Sequence, residues 1–251
     1  MIIYKSPAEI ERLRRAGRIT AATIERLLPE VKPGVTTKKL DAIAEAHIRR
    51  EGATPSFKGY RGFPASICTS INEQVVHGIP GKRRLEEGDV LSLDVGAIWE
   101  GYHGDSAVTV LVGDPPSGEA EKLVRVTEES LEAGISMIRV GNHLSDIGHA
   151  VQQVVEGAGF AVVREYVGHG IGRNLHEDPQ IPNFGPPARG PEIRPGLVVA
   201  VEPMVIMGDW QTRVLADDWT VVSADGGLAA HFEHTIAVTE DGPEVLTARS
   251  A

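Results

Sequence analysis

Apolar residues recur at helical spacing through the first fifty positions. Ser6, Pro7 and Glu9 combine an N-cap, a first-turn proline and a capping-box glutamate, and Ile10, Leu13, Gly17, Ile24, Leu27 and Leu28 then fall on one stripe. A first helix is predicted to start there. A second pattern opens near Thr36 or Thr37, turns Leu40, Ile43, Ala44 and Ile48 inward, and stops at Gly52. After a long loop the pattern becomes strand-like: VLSLDVGAI at 90–98 and AVTVLV at 107–112 read as two strands separated by the turn-rich WEGYHGDS.

The second half replays this order. Helical stripes in EAEKLVRVTEESLEAGISMI and LSDIGHAVQQVVEGAG precede the β-rich runs LVVAVEPMVIM and HTIAVT. Gly34 and Gly141, Leu40 and Ile147, Ile48 and Val155, and Gly52 and Gly159 pair at a constant offset of 107, and Gly88 with Gly196 and Asp94 with Glu202 at 108. HGIP at 77 and HGIG at 169 also correspond, and Asp105 and Glu233 hold like places in HGDSAVTV and HFEHTIAV. The expected architecture is one α/β (α+β) domain over 1–251, made of two related halves at roughly 1–115 and 116–251, with carboxylates at equivalent strand positions facing a shared cleft. NFGPPARGPEIRPG at 183–196 reads as a surface loop and not a boundary.

Composition narrows the function classes. Apolar residues at 41% and charged residues at 24% argue for an ordinary globular core and against disorder. The net charge of −10 disfavours a broad grip on DNA or RNA phosphates and suits a cationic ligand. Lys82, Arg83 and Arg84 form a basic run short enough to be a solvated loop and not a ribosomal RNA contact, which leaves ribosome docking open. Cys68 is the only cysteine, so no intrachain disulfide forms, and MIIYKSPAEIERLRRAG lacks the apolar region of a signal peptide. No run approaches the roughly 18–20 apolar residues that span a bilayer. A cytoplasmic protein with no membrane partner is expected.

The acids carry the chemistry. Asp94 lies between apolar neighbours in SLDVG, and Glu202 sits in the still more apolar VVAVEPM, positions from which carboxylates are normally depleted. Asp105 and Glu233 occupy comparable strand ends, and His169 is flanked by glycines that leave room for a ligand. Each alone reads as a turn or cap residue. Together, four acids at matching positions plus one imidazole are what a pair of divalent cations explains, because unpaired buried carboxylates are costly. Four carboxylates bring −4, two divalent ions +4, and a bridging hydroxide leaves the cluster near −1. Carboxylates bridge ions about 3.5–4 Å apart in two-metal hydrolases that activate water. Oxygen-dominated ligation with one imidazole suits Mn, Fe or Co, and Zn less selectively.

In order and context, Asp94, Asp105, His169, Glu202 and Glu233 resemble the five metal ligands of the methionine aminopeptidases. SINEQVVHGIPG, GDVLSLDVGA, GYHGDSAVTV, REYVGHGIGRNLHEDPQIPNFG, PGLVVAVEPM and HFEHTIAVT are similar to the family's type 1 members, and the resemblance covers essentially the whole chain. It implies the pita-bread fold, with two pseudo-twofold halves, a central antiparallel sheet and outer helices. It implies that Asp105 and Glu233 bridge both ions, that Asp94 holds one, and that His169 and Glu202 hold the other. His77 in VVHGIP and His176 in RNLHEDP are implied to contact the scissile peptide, with Glu202 completing the catalytic set. Tyr60, Phe63, Cys68 and Trp219 are implied to enclose the methionine side chain. Leu175 and Phe63 depart from the Phe and Tyr of many relatives, which bears on pocket shape and not on the chemistry. The implied substrates are nascent polypeptide N-termini whose methionine precedes a small residue, cleaved by a monomer. Two rival readings share the fold: an Xaa-Pro aminopeptidase or prolidase, which usually carries a further N-terminal domain, and a non-catalytic binding module, which typically lacks several of the ligands.

Overall fold

The computed structural model describes residues 1–249. Helix α1 (Pro7–Leu27) starts at the expected capping box, where the Ser6 backbone N–H and hydroxyl donate to Glu9 Oε2 at 2.9 and 2.8 Å. These bonds, joined by the Tyr102 hydroxyl on Glu9 Oε1 at 2.8 Å, hold the Glu9 carboxyl down at about 2. Helix α2 (Thr37–Arg50) is capped by Thr36, whose hydroxyl accepts from Lys39 N at 3.2 Å. It ends before Gly52, which takes the left-handed φ of 75° that glycine permits.

Short strands β1 (Thr54–Pro55), β2 (Ile67–Ile71) and β3 (Gln74–Val76) lead to a long hairpin, β4 (Val90–Trp99) and β5 (Tyr102–Leu111). The sequence places a broad turn over 99–106, whereas the chain reverses within Glu100 and Gly101 alone. Both residues have positive φ, 46° and 79°, the geometry of a two-residue turn matched to strand twist. Tyr102, His103 and Gly104 therefore join the ladder, and Asp105 stands inside a strand rather than at its start.

Helices α3 (Gly118–Ser136) and α4 (Leu144–Gly157) pack together. The strands that follow are β6 (Ala161–Val162), β7 (Gly168–Gly170), β8 (Glu177–Ile181), β9 (Val198–Val201), β10 (Met204–Ile206), β11 (Thr212–Val214), β12 (Val221–Ser223), β13 (Ala229–His231), β14 (His234–Thr239) and β15 (Gly242–Val245). One sheet orders β1-β4-β2 with β5 on β4, and a five-stranded sheet orders β15-β14-β9-β7-β8. Two three-stranded sheets, β13-β10-β6 and β11-β12-β3, flank them, and every pairing is antiparallel. The two larger sheets meet at Ala107 and Glu233, whose backbones exchange hydrogen bonds of 3.3 and 3.0 Å.

Ile19, Leu91, Val199 and Ile236 belong to one buried cluster, so helices and both large sheets share a core. Helix α1 lies directly against β5 because Gly104 has no side chain: a Cβ there would stand 2.6 Å from Gly17 N and 2.7 Å from Ala16 C. Within the 183–196 loop, Asn183, Ile193 and Gly196 are buried and the remainder is mostly exposed. No described helix is long and apolar enough to cross a membrane.

Gly104→Ala should destabilise the fold by about 1–3 kcal/mol, because the added methyl meets helix backbone and not a mobile side chain. Urea denaturation checks this, and Gly118→Ala, where the added Cβ meets nothing within 4 Å, is the control.

Candidate active site

Strand register alone brings the carboxylates together. Cys68 pairs with Asp94, Asp94 with Ala107, and Ala107 with Glu233, so four residues from four neighbouring segments lie along one line across the sheets. Asp105, two residues before Ala107, shares its face and stands diagonal to Asp94. Ala107, fully buried, is the small side chain over which these acids converge. On the neighbouring sheet His169 pairs with Ala200, and Glu202 follows two residues later, just beyond the end of β9. Pro203 interrupts the ladder there, and the Asn183 side-chain amide donates to Glu202 O at 2.9 Å.

The glycines beside His169 serve a different purpose from the ligand access read in the sequence. A Cβ on Gly168 would lie 2.4 Å from Ala200 O, and one on Gly170 would lie 2.1 Å from Asp178 O. They let β8 and β9 close on β7, which fixes the imidazole between them.

This arrangement is electrostatically incomplete by itself. Burial pushes the Asp94 carboxyl up to about 7, and burial reinforced by the neighbouring carboxylates pushes Asp105 and Glu233 well above the ordinary range. Glu202 is raised well above that range too, by burial and then by Asp94. Burial also drives His169 down to about 3, so the ring is neutral. Its Nδ1 lies 2.9 Å from Gly170 O and carries the proton, which leaves the Nε2 lone pair 3.3 Å from Glu202 Oε1. Asp94 Oδ1, Asp105 Oδ1 and Glu233 Oε1 are buried without a hydrogen-bond partner. Ligand atoms of Asp105, His169 and Glu233 all lie within 4.8 Å of one another. Acceptors without donors, carrying mutually repelling charge, fit divalent cations.

The cluster floors a cavity of about 190 Å³ walled by Phe63, Cys68, Leu175 and Trp219. Phe63 meets Trp219 edge-on at 5.1 Å, and Cys68 is buried. Burial, then the charges of Asp94 and Asp105, keep Cys68 a protonated thiol that donates to Asp94. Two histidines close the top. His77, at a left-handed φ of 61°, packs edge-on against Tyr166 at 5.8 Å and Trp219 at 6.2 Å. His176 stands at the rim with its ring packed between Tyr60 and His169, 4.2 Å from the His169 ring and with Nδ1 2.8 Å from the Tyr60 hydroxyl. Burial lowers the pKa of both, to about 4 for His77. The residue after His176 is anchored deep: Lys5 Nζ lies 2.6 Å from Glu177 Oε2, with both side chains about 95% buried.

All the sequence-predicted residues thus line or border one cavity. The pattern reading passed over five others. His231 is buried with Nε2 unpartnered and 3.8 Å from Glu202 Oε2, and its place two residues before Glu233 was a legible same-face signal. Asn183 and Lys5 act through loop and terminal segments whose local pattern carries no such signal. Met204 lines the cavity from a run that reads only as apolar strand, and Tyr166 from a connecting segment without a periodic pattern.

The model of metallopeptidase family M24 matches residues 11–240. The chain belongs to that family. Within it, methionine aminopeptidase 1 of Bacillus subtilis is 57% identical over 98% of this chain and 99% of the relative, and a Clostridium acetobutylicum methionine aminopeptidase is 54% identical over the same shares. A crystal structure of methionine aminopeptidase from Thermotoga maritima superposes with a TM-score of 0.97 at 46% identity, covering 99% of this chain and 100% of that one. Prolidase from Pyrococcus furiosus shares the fold at TM-score 0.80 and 20% identity, and its match takes in 66% of that longer chain. This M24 member therefore groups with the methionine aminopeptidases, and the prolidase and binding-module readings are not favoured.

Lys5→Met should cost about 3–5 kcal/mol by leaving Glu177 buried and unpaired, and Lys5→Met/Glu177→Leu should recover much of it. A double-mutant cycle in urea reads this directly. The raised Asp94 carboxyl stays protonated in the folded protein between its ordinary 3.8 and about 7 while the unfolded chain ionises, so stability without metal should fall as pH rises through that window. Divalent cation at roughly 100 times its Kd should add about 2.7 kcal/mol, or roughly 5–10 °C in Tm, at pH 7. Calorimetry of chelated and Mn- or Co-loaded protein from pH 4 to 8 tests both statements.

Proposed function

We propose that the chain is a metal-dependent aminopeptidase that removes an unblocked N-terminal methionine preceding a small residue. One observation carries the reading: the same cavity holds the buried acidic cluster and, beside it, the apolar wall of Phe63, Cys68 and Trp219. The cluster receives the free α-amino group, and the wall receives a flexible thioether side chain.

Asp94, Asp105, His169, Glu202 and Glu233 would hold two divalent ions, Co, Fe, Mn or Zn. Bound there, the ions supply Lewis acidity toward the scissile carbonyl and lower the pKa of water. The protein's own groups do the rest. Glu202, held as a carboxylate by the cations it would ligate, takes a proton from the attacking water and returns it to the departing amine as the C–N bond breaks. His77 and His176, neutral at pH 7, donate hydrogen bonds to the carbonyl oxygen and the peptide as the tetrahedral intermediate forms. Tyr60 orients His176 through the 2.8 Å contact on Nδ1. Since both halves of the single domain, roughly 1–115 and 116–251, contribute ligands, the site belongs to their junction. Nascent polypeptide N-termini in the cytoplasm, met by a monomer with or without a ribosome contact, complete the proposal.

Metal-loaded protein should release methionine from Met-Ala-Ser and leave formyl-Met-Ala-Ser, Met-Lys-Ser and Ala-Pro-Ser largely intact. Faster cleavage of Ala-Pro-Ser would establish a prolidase-like enzyme, and no cleavage of any peptide with two ions bound would establish a binding module. Asp105→Asn and Glu202→Gln should lower kcat/KM by more than roughly 100-fold, beyond the loss typical of an outer partner. His77→Ala and His176→Ala should lower kcat by roughly 100–1000-fold with metal content retained. Atomic absorption alongside the kinetics separates the two classes, since parallel loss of metal would make the histidines ligands.

A further inference from the structure

The cavity mouth carries one cation whose placement the reaction does not explain. Arg61 is the only lysine or arginine among the described residues lining the cavity. It sits in a tight loop: Gly59, Arg61 and Gly62 have φ of 86°, 47° and 92°, and the backbone closes through Gly59 N to Phe63 O at 2.8 Å and Phe63 N to Tyr60 O at 2.9 Å. A left-handed conformation costs a non-glycine residue about 1–2 kcal/mol, yet the position before Gly62 holds an arginine. The loop aims Tyr60 inward onto His176 and leaves Arg61 exposed above it, with the guanidinium carbon 5.3 Å from the centre of the Tyr60 ring. The nearby Lys58 is occupied, its Nζ 2.6 Å from Glu45 Oε2. Arg61 is held over an aromatic face and its charge reaches His176.

On the proposed reading, the substrate's path past this point is set. Its amine lies on the acidic floor, its first side chain lies against Phe63 and Trp219, and its scissile peptide lies between His77 and His176. An extended chain advances about 3.3 Å per residue, so the residue after the small second one emerges beside the Tyr60–His176 pair. Its side chain is the first with room to be large, and the cation it meets there is Arg61.

We propose that Arg61 is a specificity-determining residue that reads the third residue of the substrate, favouring an acidic side chain and disfavouring a basic one. The inference rests on the aminopeptidase reading and adds a charge preference to it. A half-exposed ion pair made only by that side chain acts on binding rather than on the reacting atoms, so it appears in KM and is screened by salt.

The test uses metal-loaded protein and three C-terminally amidated peptides, Met-Ala-Glu-Leu, Met-Ala-Gln-Leu and Met-Ala-Lys-Leu, at low and high NaCl. The expected result at low salt is a KM roughly two- to fivefold lower for the Glu peptide than for the Gln peptide, with a higher KM for the Lys peptide and similar kcat throughout. Arg61→Gln should bring the three KM values together, Arg61→Lys should keep part of the spread, and 0.5 M NaCl should compress it in the native protein. A Glu-over-Gln preference that survives in Arg61→Gln overturns the assignment, as does the absence of any preference in the native protein. A uniform rise in KM for all three peptides in Arg61→Gln would show that the guanidinium holds peptide backbone, and overturns it equally. Release of methionine from the Gln peptide keeps the aminopeptidase reading intact in each of these cases, whereas no release from any peptide overturns both.

Discussion

Four carboxylates crowded into one buried cleft repel one another and are stripped of water, and the rest of the molecule is arranged around that unfavourable grouping. Strand pairing forces Asp94, Asp105 and Glu233 onto one face, and the Pro203 break with Asn183 behind it delivers Glu202 from the neighbouring sheet. The cost is met either by protonation, as for Asp94 below about pH 7, or by divalent cations, so the grouping that strains the metal-free fold favours cation binding. Neutral His169 contributes a lone pair and no additional charge.

Much of this was legible in the chain. The capping box at Ser6 and Glu9 and the threonine at 36 marked helix starts because the signals are local: a side chain satisfies a backbone group three residues away. Acids inside apolar runs at 94 and 202 pointed to the site because burial of a charge needs a reason that the run itself cannot supply. The residues of the methionine-pocket reading also converge in one cavity, although their nearness depends on the resemblance and not on any periodicity.

What escaped the pattern depends on partners far away in sequence. The 99–106 segment reads as turn because of its glycines, yet Gly104 belongs to the strand and is small because helix α1 lies against it. The glycines around His169 likewise answer to the carbonyls of Ala200 and Asp178. Lys5 looks like an ordinary terminal lysine until Glu177 meets it in the interior. In each case the deciding atom sits more than thirty residues distant or, for Asp178, across a fold-specific reversal, so no local window contains it.

The reversal at Glu100 and Gly101 has an evolutionary corollary. Side chains alternate across a sheet, so one inserted or deleted residue in that hairpin tip would rotate Asp105 and Ala107 to the opposite surface of β5 and present Ser106 to the acids instead. Glu100 and Gly101 do not line the cavity, so changes of identity there that keep two positive φ angles leave the site in place. Its residue count is another matter: length there sets which face of β5 meets the acids, whereas the exposed stretch at 185–192 answers to helix α4, where Pro191 O and Arg189 O accept from Leu144 N and Ser145 N.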